Sequence, residues 1–185
     1  MSIASKRPQD NDFTVKIGNV NGTGSASANS MLMKSLFRMG IPVCGKNYFP
    51  SNIQGLPTWY EIRVSAEGHL ARSGRVDVMV AMNAETYQKD VREVSPGGFL
   101  IFDSTWPRSA VLARDDIAIL GAPLAKICNE NFVGVRNRIL MKNVMYVGLL
   151  AALLEIDVEV LRQLLNESYS KKPALVEANM KAVQL

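Results

Sequence analysis

Two stretches of this 185-residue chain carry residue types that can hold a ligand. The first is Val20-Asn21-Gly22-Thr23-Gly24-Ser25, which follows the β-rich run Thr14-Val15-Lys16-Ile17-Gly18-Asn19 and precedes a helical pattern. Gly22 and Gly24 admit positive φ and close backbone approach, and Asn19 and Asn21 are of the non-glycine type that best tolerates left-handed geometry. Thr23 or Ser25 can cap the helix that follows. At the carboxyl end of a strand, such a turn presents free N–H groups and the positive end of a helix dipole, so it can hold an anion such as phosphate. It also serves as a tight βα connection with nothing bound, and the residues alone leave both readings open. The second stretch is Tyr48-Phe49-Pro50-Ser51-Asn52-Ile53-Gln54-Gly55-Leu56-Pro57, a loop by its prolines and glycine, yet loaded with aromatic and amide groups. Loops so furnished line sites or use their aromatics as anchors to the core.

Sharper motifs fail. Gly22-Thr23-Gly24-Ser25-Ala26-Ser27 approaches G-x-G-x-x-G but has Ser27 at the third glycine, and the expected second strand over 43–48 ends without a ribose-binding carboxylate. Gly45-Lys46-Asn47 lacks the upstream glycine and the hydroxyl residue of a P-loop. The single histidine, His69, lies in a polar turn with no nucleophile or carboxylate arrangement beside it, and no G-x-S-x-G or H-E-x-x-H pattern occurs. Cys44 and Cys128 are too few and too far apart for a zinc site or an iron–sulfur cluster. The residues by themselves support an anion-binding domain and no reaction.

The elements that must position these groups read as alternating strands and helices. Strands are predicted over 14–19, 41–47, 58–65, 76–81, 99–102 and 117–120, the third of them alternating as an antiparallel strand does. A helix is predicted over 27–39 with Gly40 ending it, and another over 84–94 capped by Asn83. Asn83 and Asp103 then stand at carboxyl ends of strands, as site residues or as ordinary caps. From Pro123 the pattern is helical. The segment 138–154 is apolar on more than one face, which places it deep in the core or at a subunit contact. Asp157 caps the next helix, and Pro173 opens the last. The fold class expected is three-layer α/β/α, with a mostly parallel or mixed sheet and a helical C-terminal part.

A content of 48% hydrophobic and 21% charged residues suits one packed domain over 13–185 after a loose tail over 1–12. The net charge of +4 comes from scattered basic residues with no nucleic-acid stripe. No signal core or membrane-length apolar run is present, and two unpaired cysteines point to a reduced, cytoplasmic protein.

Ile17-Gly18 through Gly22-Thr23-Gly24, the stretch 48–57 followed by Arg63-Val64-Ser65, the run Val76-Asp77-Val78-Met79-Val80-Ala81-Met82-Asn83, Pro96-Gly97-Gly98 and Lys142-Asn143-Val144 occur in this order. Together they resemble the gamma domain of the 2-oxoacid:ferredoxin oxidoreductases. The family's G-E-G-G-Q-G turn is altered here by Asn19, Asn21 and Thr23, and its R-G-G by Gln54-Gly55-Leu56. The resemblance implies a part of an assembly that decarboxylates a 2-oxoacid, 2-oxoglutarate above others, on thiamine diphosphate. Such an assembly passes electrons through iron–sulfur clusters to ferredoxin and yields an acyl-CoA. It further implies that alpha and beta subunits or domains hold the thiamine diphosphate and the clusters, while this chain serves assembly and the coenzyme A step. Gly22, Thr23, Gly24 and Ser25 would then face coenzyme A, with Tyr48, Pro50, Ser51 and Asn52 as a neighbouring wall. A second reading is a stand-alone anion-binding or scaffolding domain without enzyme activity.

Overall fold

The computed structural model describes residues 11–50, 53–106 and 114–185. Its strands are β1 (Asp12–Val20), β2 (Val43–Tyr48), β3 (Pro57–Ser65), β4 (Val78–Ala81), β5 (Phe99–Asp103) and β6 (Ala118–Ala122). They form one sheet in the order β2-β3-β1-β4-β5-β6. β1, β4, β5 and β6 run parallel, whereas β3 is antiparallel to both β1 and β2, as its alternation predicts. The helices are α1 (Ser25–Arg38), α2 (Tyr87–Glu93), α3 (Leu124–Asn131), α4 (Val135–Leu153), α5 (Val158–Ser168) and α6 (Pro173–Gln184).

Burial explains why β4 reads as a continuous apolar run. Val78 and Val80 enter the large cluster with α1 and the C-terminal helices, while Met79 and Ala81 enter a second cluster with Tyr87, Val91 and Val94 of and beside α2. The sheet is therefore sandwiched, with five helices contributing to one side and α2 to the other. β1 and β3 are mainly apolar on the first side, with Trp59 of β3 the buried aromatic on the other. Val15, Ile17, Ile62 and Val64 face the large core, whereas Lys16, Glu61 and Arg63 alternate to the other face.

Several local expectations are corrected. Asn83 does not cap a helix from 84. Its Oδ1 accepts from Glu85 N at 3.0 Å, a turn forms, and α2 begins at Tyr87 after Thr86. β6 is not a buried strand but an edge, and its residues are mostly exposed. Neither Thr23 nor Ser25 caps α1; Gly24 occupies the cap position, and Ser25 is already helical. Asp157 does cap α5 through Glu159 N at 2.8 Å, and Pro173 is the first residue of α6.

Candidate functional site

The glycine turn leaves the carboxyl end of β1 and opens α1. Gly22 and Gly24 adopt φ of 87° and 83°, a region that costs any residue with a Cβ. Their missing side chains also make room for their own chain. A Cβ on Gly22 would lie 2.6 Å from Cγ of Gln54, and one on Gly24 would meet the Leu140 side chain of α4. Thr23 Oγ1 turns back to donate to Val20 O at 2.8 Å. Asn19 Nδ2 donates to Asn143 Oδ1 at 3.0 Å, and Asn143 Nδ2 donates to Thr23 O at 2.8 Å, so α4 holds the turn through one buried amide. The loop clasps the other side. Asn21 N donates to Leu56 O at 2.8 Å and Gly55 N to Asn21 O at 3.0 Å.

Beyond Gly24 the turn opens on a groove of about 640 Å³ between α1, α4, α5 and α6. Gly24, Ala26 and Ser27 stand at one end, Met31, Met141 and Leu164 supply apolar wall, and Lys34 brings a cation. The first helical residues of α1 thus border a space that could admit an extended molecule with an anionic end. Gly22, Thr23 and Ser25 adjoin this groove in the chain without lining it.

Tyr48 lies elsewhere. It pairs with Trp59 in the β2–β3 register and so shares the face of the sheet opposite α1. Arg72, Lys46 and Lys16 approach its ring at 4.8, 5.4 and 5.9 Å, while its hydroxyl is buried without a partner among the described residues. Burial, followed by the nearby Glu61 carboxylate, raises the Tyr48 pKa. Pro50 is exposed, and Ser51 and Asn52 lie outside the described residues.

The same face carries a network with no sequence signature. Trp59 Nε1 donates to Asp90 Oδ1, and Thr86 Oγ1 donates to Asp90 Oδ2, each at 2.7 Å. Asp90 is wholly buried, and desolvation raises its pKa against the lowering effect of those two donors. Gly18 is required here, because a Cβ would stand 2.7 Å from Asp90 Oδ2. Beside it Lys16 pairs with Glu93, and Arg72 grips Glu61 at 2.9 and 3.0 Å.

None of the remaining candidates lines the groove. Asp103 accepts from Ala125 N at 3.2 Å and lies 3.5 Å from Lys142 Nζ, tying β5 to α3 and α4. His69 is exposed beside Glu67. Burial pushes the Cys128 thiol up to about 11, and its Sγ sits 3.2 Å from Met145 Sδ, whereas Cys44 lies on the opposite face of the sheet. Among the described residues no group of three or more His, Cys, Asp or Glu converges as metal ligands. Asn143 could have been suspected from the sequence as the lone amide within the apolar segment 138–154; Leu140 over Gly24 could not.

Comparison with known proteins gives this arrangement its relatives. The chain is 34% identical over 117 residues, 62% of its length, to subunit alpha of 2-oxoacid:ferredoxin oxidoreductase 2 from Aeropyrum pernix, spanning 17% of that protein. Its fold matches 2-oxoglutarate:ferredoxin oxidoreductase from Magnetococcus marinus, solved with 2-oxoglutarate, coenzyme A and succinyl-CoA bound, with a TM-score of 0.83 at 21% identity. That match covers 95% of this chain and 30% of the other. Pyruvate oxidoreductase subunit PORC from Thermotoga maritima matches with a TM-score of 0.76 at 18% identity, over 94% of both chains. The gamma subunit of keto/oxoacid ferredoxin oxidoreductase from Geobacter sulfurreducens matches with 0.69 at 17%, over 93% of this chain and 94% of that one. The family pattern itself runs over residues 14–185, from β1 to the last residue, and the chain belongs to the pyruvate ferredoxin/flavodoxin oxidoreductase family.

Proposed function

We propose that this chain is the gamma domain of a cytoplasmic, coenzyme A-acylating 2-oxoacid:ferredoxin oxidoreductase, with 2-oxoglutarate its acid, and that it contributes to assembly and to the coenzyme A step. The observation that carries the ligand assignment is the turn at the carboxyl end of β1, which opens α1 onto the groove. An acidic group of coenzyme A is held by the N-terminal turn of α1 near Ala26 and Ser27, and the remainder runs along the apolar wall toward Lys34. Asn143 fixes the turn by its bond to Thr23 O. The alpha and beta subunits or domains supply thiamine diphosphate for decarboxylation and iron–sulfur clusters that pass electrons to ferredoxin. A cluster does not fit the described residues, since the cysteines Cys44 and Cys128 sit on opposite sides of the sheet.

The test uses the assembled complex. Substituting either glycine would strain the turn and collide with Gln54 or Leu140, so Ser27→Glu is the cleaner variant. A carboxylate in the first turn suits the helix dipole yet repels an anionic ligand. The KM for coenzyme A should rise about tenfold with the thiamine-dependent decarboxylation half-reaction unchanged. An unaltered KM in a correctly assembled complex removes the turn from the coenzyme A site and leaves it a packing device.

A further inference from the structure

The N-terminal part of α4 projects apolar side chains into solvent from a backbone that is firmly held. Val133 and Val135 are 87% and 74% exposed, and Ile139 and Leu140 remain 40% and 36% exposed. A loose chain end does not account for this. Arg138 Nε donates to Phe132 O at 2.8 Å, Arg138 N bonds to Gly134 O at 3.0 Å, and the same helix continues into a stretch from Met141 to Ala151 that is buried except at Lys142 and Leu149. Val135 with Ile139 and Arg136 with Leu140 are four-residue neighbours on the helix surface. Leu140 also lies against Gly24, which brings this apolar strip to the glycine turn at the carboxyl edge of the sheet. Contiguous apolar surface on rigid backbone is the mark of a docking face rather than of scattered exposed residues.

Charge selects the occupant. From Val133 to Lys142 the chain has three cations and no carboxylate. Lys142 is engaged with Asp103 and Arg138 with the carbonyls of α3 and its end, while Arg136 is exposed and has no ion pair among the described residues. We infer that this face docks a partner polypeptide of the oxidoreductase assembly that presents an apolar strip flanked by carboxylates, an inference that rests on the proposed function. Because Leu140 lines the groove as well as the face, the docked partner closes the groove beside Gly24.

The experiment compares full-length chains co-expressed with the partner chains of the oxidoreductase, each identified by mass spectrometry after affinity purification. Val135→Glu with Ile139→Glu, and separately Arg136→Glu, should each weaken partner recovery about tenfold or more with the melting temperature of the free chain unchanged. Arg136→Glu should also flatten the dependence of association on salt. Leu70→Glu, at an apolar residue 57% exposed in the loop after β3, serves as control and should leave recovery intact. Full recovery with both α4 variants overturns the docking face while the proposed function stands, as does an equal loss with Leu70→Glu. If the wild-type chain recovers none of the partner chains, the proposed function and this face fail together. Self-association of the wild type that the α4 variants abolish makes the occupant a second copy and overturns the heteromeric assignment.

Discussion

Asp90 is the residue whose burial is least explained by packing alone, since a carboxyl with zero exposure needs donors on both oxygens and has them in Trp59 and Thr86. Desolvation nevertheless dominates and raises its pKa. A carboxyl that holds its proton more tightly when folded lends stability fully below its ordinary value of about 3.9, and loses it as pH rises through the raised folded value. Asp90→Asn lacks this titration. The stability of the variant relative to wild type should therefore improve as pH rises from about 4 toward 8, read from denaturant midpoints at each pH. A constant difference across that interval would mean that Asp90 ionises as freely in the folded chain as in the unfolded one. Tyr146 shows a resolved burial: its buried hydroxyl donates to Asn29 Oδ1 at 2.7 Å, and desolvation raises its pKa.

Among the elements, α4 divides into two halves with different tasks. Its first turns are exposed, whereas Asn143 to Gly148, Leu150 and Ala151 are buried nearly all round between the sheet, α1, α3 and α6. The apolar periodicity over 138–154 is compatible with a core helix and with a subunit contact, and the structure buries the second half in the chain's own core. Gly148 allows the closest approach. A Cβ there would collide with the Val183 carbonyl of α6, which is backbone and cannot swing aside. Gly148→Ala should cost roughly 1–3 kcal/mol by forcing the helices apart, a fall of about 2–4 °C in melting temperature for each kcal/mol. An unchanged melting temperature would show that α6 adjusts without loss. The pairing of β3 with β1 has the opposite logic, since its alternation already announces an antiparallel strand with one apolar face.

For the whole molecule, the proposed role requires that the groups for decarboxylation and electron transfer come from other chains or domains. The purified chain should bind coenzyme A weakly by calorimetry and show no 2-oxoacid-dependent reduction of ferredoxin; turnover by the pure chain would sink that division of labour. What the sequence determined here was what local periodicity and turn chemistry encode. The order of strands and helices, the positive-φ glycines and the Asp157 and Pro173 helix starts all depend on neighbours a few residues away, whereas the mixed pairing of the sheet does not. Only the tertiary structure decided what lies opposite each group. It set Leu140 against Gly24 and Asn143 against Thr23 across about a hundred residues, put Tyr48 on the far face of the sheet from the turn, and sank Asp90 beneath Gly18. Those contacts arise from the packing of separate elements, where each partner's identity leaves no trace in the other's local pattern, and the candidate site is built almost wholly from contacts of that kind.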